Sequence, residues 1–154
     1  MTQEIIIAFD WGAARIGVAS ADSGTRVALP KPALLEKDKA AQIRLACEAT
    51  RALGATTALV GLPLERSGED GPTTRSARMF AAKLEAALAA TSGEPPVRVL
   101  LVDERFTSTE ATHLLRAAGA RPTGRDGRSG RLDSASAAVL LAHWLDLNAR
   151  EARP

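Results

Sequence analysis

The chain is poor in the residues that mark secreted, membrane-bound or zinc-binding proteins. It contains one cysteine among 154 residues, which rules out an internal disulfide and a cysteine cluster that holds zinc. No stretch approaches the roughly 18 consecutive apolar residues of a membrane-spanning helix. The first residues, 1–4, lack the basic charge that begins a signal peptide. We therefore expect a cytoplasmic protein with no membrane partner.

Two familiar kinds of catalytic sequence are also missing. There is no glycine-rich loop followed by a lysine, which argues against a P-loop nucleotide hydrolase. There is no Gly-x-Ser-x-Gly sequence, and neither His113 nor His143 has a neighbouring nucleophile. Aromatic residues make up only 3% and tyrosine is absent, so base stacking, the usual means of recognising single-stranded RNA, has few candidates. This scarcity favours an enzyme that contacts the backbone of shaped duplex or junction DNA or RNA.

The hydrophobic patterns predict a single α/β domain over residues 1–150, followed by a short tail at 151–154. Predicted strands cover about residues 4–9, 15–20, 26–29, 57–60 and 97–102, and predicted helices cover about 38–53, 73–90, 107–118 and 133–147. The third strand is expected to end before Pro30, because proline donates no hydrogen bond to a sheet. Hairpin-linked strands followed by strands reached through helices indicate a mixed five-stranded sheet with helices on both faces.

Three acidic residues stand where predicted elements end or begin. Asp10 follows the first strand, Glu104 follows the fifth, and Asp133 begins the last helix. A carboxylate at a strand end is costly unless it is solvated, paired or bound to a cation, and three from distant segments suggest a shared divalent metal. Each also has an ordinary interpretation: a solvated turn for Asp10, an arginine pair for Glu104 and a helix N-cap for Asp133. The consecutive acids Asp103 and Glu104 should point to opposite faces of the sheet.

Arginines are concentrated in the segment before Asp133. Although the net charge of the chain is only +2, residues 116–131 contain five arginines and one acid. The arginines are Arg116, Arg121, Arg125, Arg128 and Arg131. Proline and glycines interrupt regular structure there, so we expect a mobile loop whose arginines bind nucleic-acid phosphates beside the acids, together with Arg15 and Arg105. The alternative is a solvated surface loop without a ligand.

Four sequence blocks together resemble one known family almost from end to end. They are Phe9–Gly12 with Arg15–Ala19, Val60–Leu64, Asp103–Ser108 and Leu132–Ala137. In this order and at this spacing they are similar to the YqgF (RuvX) family, described both as pre-16S rRNA nucleases and as Holliday-junction-resolvase-like proteins. The resemblance implies a ribonuclease-H-like fold and a cytoplasmic nuclease with Asp10, Glu104 and Asp133 as the acidic set.

The chain departs from the family pattern at two places. Family members commonly carry lysines just before the last acid, where this chain has Arg128-Ser129-Gly130-Arg131, so the charge is kept but a lysine proton donor is not. In junction resolvases of this fold, the second carboxylate ends the strand that closes here with Val60–Pro63, which has no acid. Glu104 on the neighbouring strand would have to replace it, and the metal geometry then need not match that of a resolvase.

The residues and the resemblance together predict a divalent-metal-dependent endonuclease. Asp10 would bridge two Mg²⁺ or Mn²⁺ ions, with Glu104 and Asp133 completing the ligand set. The expected substrate is the 5′ end of pre-16S rRNA during ribosome biogenesis, and the first alternative is a four-way DNA junction in recombination or repair. The two-fold symmetry of such a junction would call for a homodimer. The second alternative is a non-catalytic nucleic-acid-binding module in ribosome assembly.

Overall fold

The computed structural model describes residues 3–91, 95–105 and 128–151, with side chains in the last segment described from residue 134 onward. The strands are β1 (Ile5–Asp10), β2 (Arg15–Asp22), β3 (Leu29–Leu35), β4 (Thr57–Leu62) and β5 (Arg98–Asp103), and the helices are α1 (Lys39–Leu53), α2 (Pro72–Ala89) and α3 (Arg128–Glu151). They form one sheet in the order β3-β2-β1-β4-β5, in which β1 pairs antiparallel with β2 and parallel with β4. The predicted mixed five-stranded sheet is confirmed.

Helices cover both faces of the sheet, as predicted. Ile7, Phe9 and Val60 point to the face that α1 and α2 cover, where they pack with Phe80 and Leu84. The residues that alternate with Ile7, Phe9 and Val60 along the strands point to the opposite face of the sheet, which α3 covers. Within the described part of the chain, no helix is long and apolar enough to cross a membrane.

Small side chains bring α3 close to the sheet. Ser134, Ala135, Ala137 and Ala138 are at most 2% exposed. Because these side chains occupy little volume, the helix backbone approaches β1 and β2 more closely than larger residues would allow. The first turns of α3 therefore lie near the strands whose ends carry acids.

The ends of α1 follow the signals in the sequence. Asp38 caps the helix by accepting a hydrogen bond from the backbone N–H of Ala41 at 2.9 Å. Gly54 ends it in the left-handed conformation with a φ of 67°. Helix α2 begins slightly earlier than predicted, at Pro72, because proline is well suited to the first helical position.

The predicted third strand is present, but its predicted bounds, residues 26–29, are wrong. Strand β3 spans Leu29–Leu35 and includes both Pro30 and Pro32. It is an edge strand that, among the described residues, pairs only with β2. Residues two apart direct their backbone nitrogens to the same side, so both prolines can face away from β2 and remove no hydrogen bond from the ladder. The prolines thus protect an exposed sheet edge instead of ending the strand.

The last helix begins earlier than predicted. Helix α3 starts at Arg128, so Asp133 lies in its second turn and is not its N-cap. Arg128 and Arg131 therefore belong to a helix and not to the predicted loop. A helix whose later turns pack on a sheet extends through a residue such as Gly130 at a cost of only about 1 kcal/mol. The described residues do not include two further arginines of the predicted loop, Arg121 and Arg125. They also do not include the predicted helix at 107–118.

Candidate active site

Three strand ends meet at one edge of the sheet and position the candidate site. Strands β1, β4 and β5 run parallel, so their carboxyl ends lie at the same edge. Asp10 is the last residue of β1, and Glu104 directly follows β5. Both side chains lie on the face that α3 covers, because Ala8 and Val102, two residues earlier in each strand, belong to that core.

The side chain of Glu104 reaches across the end of β4 to Asp10. A hydrogen bond joins the two carboxyl groups. Glu104 lies directly over Gly61, since a Cβ added to Gly61 would collide with its carboxyl oxygen Oε2 and would stand 3.2 Å from Leu140 Cδ2. Strand β4 has no acid at its own end. The carboxylate of Glu104 lies there instead, above Gly61, which has no side chain.

Burial and repulsion make this carboxyl pair hold a proton. Loss of solvation is the largest cause, followed by the charge of Asp10, their hydrogen bond and the charge of Asp103, and together they raise the pKa of Glu104 from 4.5 to about 8. The proton belongs to the pair, because the two groups titrate together. Two carboxyl groups held this close are stabilised either by a shared proton or by a cation between them.

The oxygen donors of the pair suit a hard divalent cation such as Mg²⁺ or Mn²⁺. Among the side chains that the structure describes, no group of three potential metal ligands occurs. Asp133, the third residue of the predicted set, has its backbone in α3, and its side chain is outside the description. Asp10 and Glu104 are therefore the two predicted ligands that the structure brings into contact.

Asp103 has different surroundings from its neighbour Glu104. Its Oδ2 accepts a hydrogen bond from Arg105 Nε at 2.9 Å and lies 2.8 Å from Nη2, while its Oδ1 accepts from the backbone N–H of Arg105 at 2.9 Å. The hydrogen bond from the guanidinium lowers the pKa of Asp103. The side chain of Arg105 remains 33% exposed, so it is oriented by Asp103 but still accessible to a phosphate at this edge.

The backbones of three other predicted phosphate-binding arginines lie in described elements. Arg15 begins β2, and strand alternation puts it on the same face as Asp10, because Ile16 points to the opposite core. Arg128 and Arg131 lie in the first two turns of α3.

A short turn, Trp11–Ala14, joins β1 to β2 beside the acids, and three of its four residues are glycine or alanine. Gly12 is required there, since a Cβ would stand 2.5 Å from the carbonyl oxygen of Arg15. Gln42 of α1 is 1% exposed and holds the turn: its Nε2 donates to the carbonyl oxygen of Gly12 at 3.0 Å, and its Oε1 accepts from Trp11 Nε1 at 3.1 Å. Gln42 was not predicted from the sequence, in which its signal is a polar residue on the inner side of an amphipathic helix.

Ser134, the residue after Asp133, fastens α3 to the sheet and was also missed. Its Oγ donates to the carbonyl oxygen of Lys31 at 2.6 Å and accepts from the backbone N–H of Val18 at 3.3 Å. The register of β2 against β3 shifts just before Val18, and the hydroxyl group pairs backbone atoms that this irregularity leaves apart. The backbone at Asp133 is thereby tied to β2 and β3.

Two Holliday junction resolvases of known structure have a similar fold. RuvC of Thermus thermophilus in complex with a Holliday junction substrate matches with a TM-score of 0.59 and 12% identity, over 97% of this chain and 96% of that one. The yeast mitochondrial Holliday junction resolvase Ydc2 matches with a TM-score of 0.57 and 12% identity, over 94% and 79% of the two chains. At this identity the likeness establishes the fold alone, which is the ribonuclease-H-like fold of the resolvase nucleases.

Sequence comparison identifies the family within that fold. Residues 4–147 match the RuvX family, described as a Holliday junction resolvase. A protein of Anaeromyxobacter dehalogenans named "Putative pre-16S rRNA nuclease" is 42% identical over 140 residues, which cover 91% of this chain and 95% of that protein. One of the same name from Chloroflexus aurantiacus is 33% identical over 154 residues, covering 100% and 93%. The chain belongs to the RuvX family, and the fold and these relatives together make it a nuclease.

Proposed function

We propose that this nuclease is a divalent-metal-dependent endonuclease that cuts the 5′ region of pre-16S rRNA during ribosome biogenesis. The contact between Asp10 and Glu104 carries the proposal. Two carboxyl groups brought together at a strand-end crevice destabilise the fold, and such an arrangement is typical of a site that holds a cation. The substrate is taken from the names of the relatives. Because rRNA is made in the bacterial cytoplasm, the proposal also places the protein there.

The residues of the site divide the proposed reaction between them. Asp10, Glu104 and Asp133 would hold Mg²⁺ or Mn²⁺, which supplies acidity to the attacking water and charge stabilisation to the leaving oxygen. Arg15 and Arg105 would bind phosphates of the substrate and hold the scissile bond in line with the water. Such contacts position a polynucleotide without reading its sequence, so the shape of the substrate would select the cut.

Cleavage of a model precursor RNA in Mg²⁺, Mn²⁺ or EDTA tests this function. Asp10→Asn should reduce cleavage by more than about 100-fold, because it removes a charged ligand while keeping the size of the side chain. Asp146→Asn is the matched control: this carboxylate lies on α3, its side chain is 72% exposed, and it should cut like the wild type. Cleavage that persists in EDTA or in Asp10→Asn refutes the metal-dependent mechanism.

A four-way DNA junction is the second candidate substrate, favoured by the description of the family as a Holliday junction resolvase. Symmetrical resolution requires two active sites related by a two-fold axis, and therefore a homodimer. Solution mass and the pairing of incisions on a synthetic junction separate the two candidates. Paired cuts by a dimer would show that the substrate is a four-way DNA junction and not rRNA. A monomer that cuts only the precursor RNA would exclude the junction as the substrate.

A further inference from the structure

A groove on the opposite face of the sheet from the acid pair has no part in the function described so far. It lies between α1 and α2 and contains about 320 Å³ of empty space. Its apolar lining consists of Trp11, Ile43, Met79 and Phe80, and its cationic side chains are Lys39 and Lys83. Part of this space is open to solvent, so the groove is a shallow surface on which one flat ring can lie and not an enclosed pocket.

The groove begins one residue from the acid pair. Trp11 directly follows Asp10 and packs against the core beneath α1 and α2, whereas Asp10 faces α3. Among the described residues, the turn at Gly12–Ala14 lies between the two faces at this edge. Its residues carry at most a methyl group, so a polynucleotide strand that leaves the acids can pass over the turn and enter the groove.

The indole of Trp11 is held in one orientation by the protein itself. Its Nε1 donates to Gln42 Oε1 at 3.1 Å, and Gln42 is fixed in turn by the carbonyl oxygen of Gly12 at 3.0 Å. Met79, which lines the same groove, is 56% exposed although it is a large apolar residue. A fixed aromatic ring with an exposed apolar neighbour is the kind of surface on which nucleic-acid bases stack.

The charges of the groove favour a nucleotide over other flat ligands. Of the described side chains that line it, none is acidic, and the two lysines come from different helices, Lys39 from α1 and Lys83 from α2. We propose that the groove binds an unpaired nucleotide of the substrate strand next to the cleavage site, with its base against Trp11 and its phosphates beside these lysines. The proposal rests on the proposed function, because the strand must start at the acid pair.

The two tryptophans of the chain allow a direct test. In Trp144→Phe all indole fluorescence comes from Trp11, and a single-stranded RNA oligonucleotide added in EDTA should quench it. Trp11→Phe is the matched control, since its fluorescence comes only from Trp144 and should not change. Heparin, a polyanion without bases, should also leave Trp11 unquenched. An equal response to heparin and RNA would overturn the proposal that a base stacks in the groove.

Removing the two lysine charges tests the phosphate contacts in a protein with both tryptophans intact. Lys39→Gln with Lys83→Gln should weaken RNA binding about tenfold or more. Lys37→Gln with Arg44→Gln removes the same charge from exposed residues outside the groove, and should change the affinity less than twofold. Equal affinities of the two double variants would overturn the proposal.

The outcomes for the groove and for the proposed function are distinguishable. If the protein cuts precursor RNA but RNA does not quench the fluorescence of Trp11, nucleotide binding in the groove is refuted and the nuclease function stands. Quenching of Trp11 in a protein that cuts no RNA supports the groove and refutes the proposed function.

Discussion

A single carboxyl group, that of Glu104, explains how a site with no acid on β4 is assembled. Its side chain extends from the end of β5 over Gly61 to Asp10, and only a residue without a Cβ leaves it room. The neighbouring carboxylate of Asp103 is paired with the guanidinium of Arg105. Glu104 instead faces another acid, and a fold gains nothing from this arrangement unless the site binds a cation.

The pH dependence of stability should report this repulsion in the metal-free protein. Between pH 4.5 and about 8 the native state keeps the proton of Glu104 while the unfolded chain has lost it, so the free energy of unfolding falls as the pH rises through this window. The free energy of unfolding of Glu104→Gln should not fall in this way, because glutamine does not titrate. At pH 8 this makes a difference of roughly 2–4 kcal/mol between the two proteins. Urea unfolding in EDTA at several pH values measures it, and parallel curves for the two proteins would contradict it.

At the scale of elements, local patterns predict what depends on local structure. The apolar runs that form β1, β4 and β5, and the caps Asp38 and Gly54 of α1, are visible in the sequence. The extent of β3 and the start of α3 are not visible in the sequence, because packing against the sheet overrides the signals of proline and glycine. Gln42 and Ser134 escaped prediction for a related reason: their partners lie 30 and more than 100 residues away in the chain.

The attachment of α3 to the sheet should depend on the hydroxyl group of Ser134. Ser134→Ala leaves the carbonyl of Lys31 and the N–H of Val18 without this partner in a buried place, and should lower the free energy of unfolding by about 1–3 kcal/mol. It should also raise the Mg²⁺ concentration needed for cleavage, because Asp133 precedes it. Ser136→Ala, a half-buried residue of the same helix, should cost less than about 0.5 kcal/mol. Equal losses in the two variants would show that the hydroxyl contributes nothing specific.

We expect the whole molecule to attract nucleic acid through local clusters of charge, since its net charge is only +2. Arg15 and Arg105 lie near the acids, and Lys39 and Lys83 lie on the other face of the same sheet edge. A strand that crosses this edge would meet positive charge before and after the proposed point of cleavage. The arginines that precede Asp133 in the sequence would extend this surface along α3 and the segment before it.

The salt dependence of binding should show whether those arginines contact phosphates. Arg125→Ala with Arg128→Ala should weaken binding to RNA and DNA alike and should lower the slope of log affinity against log salt by about 2, one unit for each lost contact. Arg44→Ala with Arg150→Ala removes the same charge from exposed arginines that pair with acids on their own helices, and should leave the slope unchanged. The stability of the control variant should change by less than about 1 kcal/mol, because the exposed charges of Arg44 and Arg150 contribute little to it. Equal slopes for the two double variants would mean that the arginines before Asp133 are solvated and hold no phosphate.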